Sequence, residues 1–182
     1  MPMPDFDAID ARILAALQED GRLSNVDLAE RVGLSPSPCL RRVKMLEDAG
    51  VIEGYRANLG RTKLGLGLTV FVGIKVDGHR DTNANALQDA IRRMPEVVAC
   101  HLVSGEADFL LEVVVPDLAH YETVLVGTLL KMPMIKDIRS HFAIRQVKTN
   151  APLPLGHLAK EKARAPKRPV QDRRQRRVRR SA

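Results

Sequence analysis

Residues 35–50 read SPSPCLRRVKMLEDAG, and this stretch predicts a helix that begins after a serine and ends at a glycine. Ser35 suits the N-cap position, and Pro36 falls in the first turn, where the missing N–H group leaves no helical hydrogen bond unmade. Gly50 suits the left-handed residue that follows many helices. The apolar positions that recur on one side of this helix are Cys39, Val43 and Leu46. That side is predicted to face a core.

Two further helices are predicted before this one. Asp7 precedes a series of apolar residues at helical spacing, and Asp20-Gly21 ends the series. Ser24, with Asp27 three residues later, matches a capping box and opens a second helix of about two turns. The short connection through Gly33 to the third helix fits the tight turn of a helix-turn-helix.

The outward side of the third helix is predicted to be polar and basic. In a helix-turn-helix the second helix of the motif lies in the major groove, where side chains reach base edges and nearby basic groups contact phosphates. The predicted DNA-binding residues are Ser35, Ser37, Arg41, Arg42 and Lys44. The alternative is a three-helix bundle whose basic residues only form a solvated face.

The sequence changes character after residue 50. Residues 51–57 are predicted to form a short strand, and several glycines indicate a hinge over residues 58–67. The elements predicted beyond the hinge are a strand over 68–76, a helix from 81 or 82 to about 93, strands over 97–103 and 109–115, a helix capped by Asp117 with an inward face of Leu118, Tyr121, Leu125 and Leu129, and a strand from 135 to about 147. This order, βαββαβ, is that of a ferredoxin-like domain with two helices on one face of a four-stranded antiparallel sheet. The predicted class is α+β, with a winged helix-turn-helix over 1–57 and a ferredoxin-like domain over 68–150.

One face of such a sheet has no helix of its own to cover it. Strand sequences such as VFVGIKV and FLLEVVV would be half exposed there, and an apolar patch of this kind favours self-association. A homodimer is therefore predicted. A twofold axis would also place two reading helices on half-sites about one turn of DNA, or a multiple, apart.

The basic charge of the chain is concentrated near its C-terminus. The 182 residues carry a formal net charge of +7, yet residues 160–182 alone carry +9 and the first 159 residues carry −2. This run has two prolines and no apolar periodicity, so residues 151–182 are predicted to form a disordered basic tail. Two interpretations stay open, a DNA-contacting arm that neutralises phosphates and a solvated tail that only aids solubility.

Several other functional classes find little support in the sequence. No apolar run is long enough to span a membrane and the N-terminus lacks a signal-peptide pattern, so a cytoplasmic location is expected. Cys39 and Cys100 are predicted to be two buried thiols in a reducing compartment. The five histidines show no zinc-type spacing, and the turn carboxylates Glu106 and Asp108 are predicted to be solvated and not an acid/base pair. Neither an enzyme, a metal site nor a cofactor is expected.

Three segments of the first 60 residues, ILAALQEDGR, LAERVGLS and LRRVKMLEDAGVIEGY, resemble the DNA-binding domain of the Lrp/AsnC family of transcription regulators. The segments SPSPCL, HLVSGEADFLL and VVVPDLAHYETVLVGTLLKMP are similar to the leucine-responsive branch of that family. The resemblance covers about residues 5–150 and leaves the basic tail unexplained. It implies a nucleoid-associated regulator that binds double-stranded DNA and responds, in DNA binding or assembly, to a small amino acid, leucine or another aliphatic one.

The resemblance also implies dimers that assemble into octamers or hexadecamers around which DNA wraps. An alternative is an amino-acid-sensing module that acts mainly through protein partners. The two hypotheses differ in whether DNA upstream of the protein's own gene is bound at moderate salt.

The turn SGEAD, residues 104–108, is the candidate site for the amino acid. Gly105 permits a backbone conformation closed to other residues, N–H groups from Ser104 onward are placed to hold a carboxylate, and Asp108 is placed to accept from an α-ammonium group. Turns also use glycine and aspartate for geometry alone. The positions that the resemblance adds to the site are Leu102, Leu118, His141, Phe142 and Ala143. This chain departs from the family at Ala107, where an aromatic residue is common, and at His141, where tyrosine is common.

Overall fold

The structure is a computed structural model that describes residues 6–77 and 81–158. The chain divides into two compact units, one formed by Met1–Ala57 with Asn150–Ala182 and the other by Asn58–Thr149. The predictions for the basic run 160–182, its disorder included, lie outside the described residues.

The first unit contains the three predicted helices, α1 (Ala8–Glu19), α2 (Asn25–Val32) and α3 (Pro36–Asp48). Asp7 caps α1 by accepting from the N–H groups of Ile9 and Asp10, and the Asp10 carboxylate accepts from the N–H of Asp7. This reciprocal pair is a capping box.

The start of α3 differs from the prediction in one respect. Ser35 lies at the N-cap position, but its side chain makes no capping hydrogen bond. A capping side chain bonds to the N–H of the second or third helical residue, and the third here is Pro38, which has no N–H. The helix therefore begins with two prolines that preset its backbone, and not with a side-chain cap.

The core of the first unit joins all three helices. Its buried residues are Ile13, Leu14, Ala16, Leu28, Ala29, Val32, Cys39, Leu46 and Leu158. The inward stripe predicted for α3 is confirmed, because Cys39 and Leu46 are buried and Val43 packs against them. Val51 and Ile52 also pack on this core, but residues 51–57 form no strand with any described residue, contrary to the prediction.

Residues 151–158 were predicted to belong to a disordered tail, and the structure differs. Leu158 is only 7% exposed within the core of the first unit, and Leu155 packs against the same core. The prediction failed because the stretch buries only two leucines, among prolines and a glycine, and two residues are too few to show a helical or strand periodicity in the sequence.

The second unit is the predicted α+β domain. Its elements are β1 (Leu68–Val76), α4 (Asp81–Ile91), β2 (Val97–Leu102), β3 (Phe109–Val115), α5 (Leu118–Gly127) and β4 (Ile135–Phe142). The sheet is antiparallel with the order β2-β3-β1-β4. Strand β4 ends at Phe142 and not near residue 147, because Phe142 already pairs with Val70, two residues from the beginning of β1. Past Phe142 the described pairing with β1 continues only through the N–H of Ala143, which donates to the carbonyl of Thr69 near the beginning of β1.

Alternate residues of the central strands face the two helices. The core of this unit includes Val70, Val72 and Ile74 of β1, Phe109, Leu111, Val113 and Val115 of β3, Leu87 and Ile91 of α4, and Tyr121 and Val124 of α5. Leu118, predicted on the inward face of α5, is exposed instead, since it is the first residue of the helix. Cys100, predicted to be buried, is also exposed, on the edge strand β2. The opposite face of the sheet, here called the open face, carries Thr69, Phe71 and Lys75 of β1 with Leu110 and Glu112 of β3.

Candidate functional site

The outward side of α3 carries a stripe of exposed side chains at helical spacing. These are Ser37 and the residues three, four and seven positions after it, Leu40, Arg41 and Lys44. Arg41 and Lys44 form no ion pair with any described residue, so both charges are available to a ligand outside the chain. Positions i, i+3, i+4 and i+7 share one helix face, the arrangement with which a helix contacts a groove.

Leu40 is a residue of this face that the sequence reasoning missed. Its side chain is 57% exposed in the middle of the stripe. An exposed leucine between Ser37 and Arg41 does not contribute to the core, and apolar side chains at such a position contact thymine methyl groups in the major groove. The sequence contained a sign of this role, because Leu40 is apolar but does not belong to the inward stripe of α3.

Two hydrogen bonds hold the beginning of α3 and the end of α2. Asn25 Nδ2 donates to the carbonyl oxygen of Pro36 over 2.9 Å, and Arg12 Nη2 donates to that of Val32 over 3.2 Å. The Val32 carbonyl lies at the C-terminal end of α2, where no helical N–H group is left to bind it, whereas the Pro36 carbonyl lies in the first turn of α3. The connection between the two helices is therefore fixed by side chains from α1 and α2.

Arg42 was predicted to face outward and contact DNA, and the structure contradicts this placement. Its Nη1 lies 2.8 Å from Asp7 Oδ2 and 2.7 Å from Asp10 Oδ1, and its side chain is 29% exposed. Consecutive residues are about 100° apart around an α-helix, so Arg42 points away from the exposed stripe and toward α1. Both acids belong to the cap of α1, so Arg42 ties α3 to the start of α1.

The surroundings of Asp7 hold it ionised. Burial by itself raises the pKa of Asp7, but the N–H of Asp10, the Arg42 guanidinium and the N–H of Ile9 outweigh it and lower this pKa to about 2. A carboxylate that accepts several hydrogen bonds and faces a cation favours its charged form. The cluster of Asp7, Asp10 and Arg42 thus carries a net negative charge at neutral pH and leaves no cation for phosphate.

The turn between β2 and β3 is anchored to the rest of the sheet by ion pairs. Asp108 Oδ1 lies 2.8 Å from Lys75 Nζ, and Asp108 Oδ2 accepts from the N–H of Val76 over 2.9 Å. Glu106 pairs with Arg139 of β4. Asp108 was predicted to accept hydrogen bonds from the α-ammonium group of an amino acid, but both of its carboxylate oxygens already have partners in the chain.

The backbone of the turn agrees better with its prediction. Gly105 has φ of +134°, a conformation that L side chains rarely adopt. The turn also lies close over Gly73 of β1, where an added Cβ would come within 3.3 Å of Ala107 Cβ. Among the described residues, no backbone carbonyl accepts from the N–H groups of Ser104 or Gly105. The carboxylate-binding role predicted for these N–H groups stays a prediction.

Two other predicted effector residues line a separate groove. An open cavity of about 420 Å³ is lined by Gly67, Leu68, Pro116, Asp117, Leu118 and Phe142. The Phe142 ring packs edge-on against Tyr121, with ring centroids 5.6 Å apart. Asp117 was predicted only as a helix cap, and it is a second acidic group of the candidate site. Hydrogen bonds from His120 hold the pKa of Asp117 below its ordinary value.

The two groups of predicted effector residues do not meet within one chain. Leu102 pairs with Phe109, which pairs with Ile74, whereas Phe142 pairs with Val70. Leu102 and Phe142 therefore lie on the two edge strands, three strand spacings and four residues apart. At about 4.8 Å per strand and 3.3 Å per residue, the distance between them is roughly 20 Å. A free amino acid, whose backbone and side chain together span much less than this distance, cannot contact both.

The run His141-Phe142-Ala143 is divided as well. His141 pairs with Phe71 on the open face, and Phe142 faces the groove, because neighbouring strand residues point to opposite sides. Ala143 contributes a backbone N–H to the carbonyl of Thr69. Within the two described stretches, no three His, Cys, Asp or Glu side chains are grouped as a metal site would require. No helix in the described part of the chain has the length and apolar character needed to cross a membrane.

Comparison with protein families gives two matches that cover both units. Residues 6–53 match a family described as winged helix-turn-helix DNA-binding, and residues 69–153 match the Lrp/AsnC ligand binding domain. Leucine-responsive regulatory proteins of Klebsiella pneumoniae and Escherichia coli K12 are 44% identical over 147 residues, which is 81% of this chain and 90% of each relative.

Solved structures agree with these matches. A transcriptional regulator from Neisseria meningitidis, crystallised as a complex with L-methionine, is 40% identical with a TM-score of 0.81, covering 84% of this chain and 99% of that one. An AsnC family transcriptional regulator from Agrobacterium tumefaciens is 39% identical over the same shares, with a TM-score of 0.79. These relatives are regulators of transcription and not enzymes.

Proposed function

The chain belongs to the Lrp/AsnC family of transcriptional regulators, and we propose that an aliphatic amino acid, such as leucine or methionine, modulates its DNA binding or its assembly. The protein is a DNA-binding regulator with an amino-acid-binding domain. The observation that carries the proposal is the uncompensated basic face of α3 on one unit, together with the Gly105 turn and the apolar groove on the other.

For DNA we propose that the stripe of Ser37, Leu40, Arg41 and Lys44 contacts the major groove. Arg41 and Lys44 supply the charge, Ser37 a hydroxyl and Leu40 an apolar surface for a thymine methyl group. Arg42 takes no part, because its charge is paired with Asp7 and Asp10. Ser35, at the first position before the helix, is placed to donate to a phosphate, since no capping bond engages its hydroxyl.

For the effector we propose a site shared between two copies of the chain. The turn group of Leu102, Ser104, Gly105 and Asp108 binds the charged end of the amino acid, and the groove of Leu118 and Phe142 from another copy receives the aliphatic side chain. Two observations support this division. The turn offers N–H donors and a carboxylate beside the exposed Leu102, while the groove is lined mainly by apolar side chains, with one carboxylate, Asp117, and has the volume of a small-molecule pocket. The separation of roughly 20 Å excludes a shared site within one chain.

Such a shared site explains in physical terms how an amino acid would alter assembly. A ligand that contacts two copies binds the assembled form more tightly than the separated one, and it shifts the equilibrium by that difference in affinity. The complex of the Neisseria meningitidis relative with L-methionine supports a ligand with an unbranched apolar side chain here. The location that we propose is the cytoplasm, on the nucleoid.

The experiment is DNA binding and thermal unfolding of the full chain with and without each of the twenty amino acids. DNA upstream of the protein's own gene serves as the probe. We expect an aliphatic amino acid to raise the unfolding temperature and to change the DNA affinity, because a ligand that binds only the folded form stabilises it. Binding of DNA with no response to any amino acid would contradict the effector proposal, and absence of DNA binding would contradict the reading by α3.

Substitution of Lys75 separates two roles of Asp108. If the effector ammonium replaces Lys75 on Asp108, then Lys75→Gln should tighten effector binding several-fold and Asp108→Ala should abolish it. If Asp108 only anchors the turn, both substitutions should weaken binding, since both break the same ion pair. Glu106→Gln is the matched control, because it neutralises the other turn carboxylate without touching Asp108. Isothermal calorimetry measures all three affinities.

For assembly we propose that the open face of the second unit packs against a second copy, as the first step toward octamers or larger forms. Phe71 is 40% exposed in the centre of this face, between Glu112 on one neighbouring strand and His141 on the other. The face is less apolar than predicted, because Arg61 pairs with Glu112 across its edge. Ion pairs that are satisfied within one copy can be buried by another without leaving a charge unpaired.

Phe71→Glu should therefore dissociate the protein. A carboxylate in the centre of the interface would be desolvated without a partner, and we expect the dimer to weaken by at least about 100-fold in Kd. Leu130→Glu, at an exposed leucine of the second unit outside the sheet, is the control for the charge itself. Sedimentation velocity at micromolar concentration measures the outcome. An unchanged sedimentation coefficient for Phe71→Glu would place the interface elsewhere.

A further inference from the structure

The C-terminal segment Asn150–Leu158, here called the clip, is bound to the DNA-binding unit at two points. At its far end Leu158 is 7% exposed in the core that contains α1, α2 and α3, and Leu155 packs against the same core. Leu158 N–H donates to the carbonyl of Leu155 over 3.0 Å, a turn that brings both leucines to the core. Neither family match extends past residue 153.

The second attachment is made by the side chain of Gln18 at the end of α1. Leu153 N–H donates to Gln18 Oε1 over 2.6 Å, and Gln18 Nε2 donates to the carbonyl of Leu153 over 3.4 Å. One primary amide thus binds both backbone groups of one residue. The Leu153 side chain itself is exposed, so its backbone and not its side chain is recognised.

The sequence of the clip suits this mode of binding. Pro152 and Pro154 flank Leu153, and neither has an N–H, so Leu153 offers the backbone donor of this stretch. Prolines also restrict the free chain to extended conformations, which lowers the entropy lost when the segment is held in place. Two separate features, a rigid extended piece and a pair of buried leucines, therefore fasten the same segment.

The clip determines where the basic run is attached. Leu158 is two residues before Lys160, the first of the eleven Lys and Arg residues of 160–182. Without the clip, the run would be connected only to the second unit through Thr149. With it, the run starts at the unit that carries α3. Because the first 159 residues carry a net charge of −2, this run supplies the positive charge of the protein.

We propose that the clip holds the basic run at the DNA-binding unit, where the run contacts the phosphate backbone beside the segment read by α3. This inference rests on the proposed DNA binding. Double-stranded DNA carries one charge per about 1.7 Å, so the eleven cations of the run match the phosphates of roughly 19 Å of duplex. Attachment at the unit that carries α3 raises the local concentration of the run at DNA that is already bound.

The test uses full-length protein and a mixed-sequence duplex of fixed length, with Kd measured at several salt concentrations. Truncation after Ala159 should weaken binding about tenfold or more and flatten the slope of log affinity against log salt by about 0.9 for each lost contact. Leu158→Ala should weaken binding by a smaller factor, about threefold to tenfold, because the run stays present but loses its local attachment. In the truncated protein Leu158→Ala should have no further effect on Kd.

Gln18→Ala provides a second way to release the clip without changing the core. It should lower DNA affinity as Leu158→Ala does, and it should raise the amide hydrogen exchange rate of Leu153, whose N–H loses its acceptor. Leu153→Ala is the matched control, because the exposed side chain is removed while both backbone bonds remain.

Two outcomes would overturn the inference. An unchanged Kd and salt slope after truncation would make the run a solvated tail. An equal loss of affinity from Leu158→Ala in the truncated and the full-length protein would show that the clip acts only through the fold of the three helices. Failure of the proposed function is distinguishable from both, because then no form of the protein binds the duplex at any salt concentration.

Discussion

Arg41→Ala is expected to reduce affinity for a duplex by about 1 to 3 kcal/mol per half-site, while folding and assembly stay unchanged. The guanidinium lies on the exposed stripe of α3 and forms no ion pair with a described residue. Its removal therefore leaves no group of the protein unsatisfied, and the loss falls on DNA binding alone. In a dimer that contacts two half-sites the loss counts twice.

Arg92→Ala is the matched control for this substitution. It removes the same positive charge, from an exposed side chain of the second unit that pairs with Asp89. Equal losses for the two variants would mean that overall charge, and not the face of α3, governs the affinity. Loss of preference for one base at a fixed position of the site, seen only with Arg41→Ala, would identify a base contact and not a phosphate contact.

Arg42→Ala is expected to have the opposite profile, a loss of folding stability with little direct effect on DNA contact. The side chains of Arg42, Asp7 and Asp10 are 29%, 26% and 14% exposed, so removal of the cation leaves two partly buried carboxylates facing each other. Loss of one partner from a buried pair costs about 3 to 5 kcal/mol, and partial exposure reduces this to roughly 2 kcal/mol. Chemical denaturation monitored by circular dichroism measures the change.

Arg31→Ala provides the comparison for Arg42→Ala. Arg31 pairs with Glu19 between α2 and α1, but both side chains are about half exposed. An exposed pair contributes about 0 to 1 kcal/mol, because water screens it. If the two substitutions destabilise the protein equally, the cluster around Arg42 is not the tie between α3 and α1 that its geometry indicates. If Arg42→Ala binds DNA weakly while folded, Arg42 also contacts DNA.

The same cluster predicts a dependence of stability on acid pH. The pKa of Asp7 is about 2 in the folded chain and 3.8 in its ordinary state, so the folded state binds this proton less tightly than the unfolded state. The resulting stabilisation is present above about pH 4 and is lost as the pH falls through about 2. It amounts to on the order of 2 kcal/mol. Asp7→Asn should remove this part of the acid sensitivity.

Arg41 and Arg42 show what pattern reading can and cannot separate. Both lie between Cys39 and Val43 of the inward stripe, two and three positions after Cys39, and both are basic, so the sequence predicted the same role for each. The difference arises because the cap of α1 places Asp7 and Asp10 beside one of them. That contact joins residues more than thirty positions apart, and no local pattern records it.

The sequence by itself determined the elements of both units and the family. Caps, glycines and apolar spacing express local backbone and side-chain preferences, so they predicted three helices at the start of the chain, the order βαββαβ after the hinge and the reading role of α3. These preferences act within a few residues, so they did not show that β4 would end at Phe142, where its pairing ends, or that residues 51–57 would form no strand. The motifs of both units then identified the Lrp/AsnC family.

The tertiary structure alone decided which charged groups are already paired and which distant segments are joined. Asp108 is held by Lys75, the predicted effector residues fall into two groups roughly 20 Å apart, and the residues around Leu155 and Leu158 pack on the three helices. Each of these depends on contacts between segments far apart in the chain. Such contacts are set by how the elements pack against one another. The energy of an ion pair or of a buried leucine depends on the distance to its partners and on its exposure to water, and not on its neighbours in the sequence.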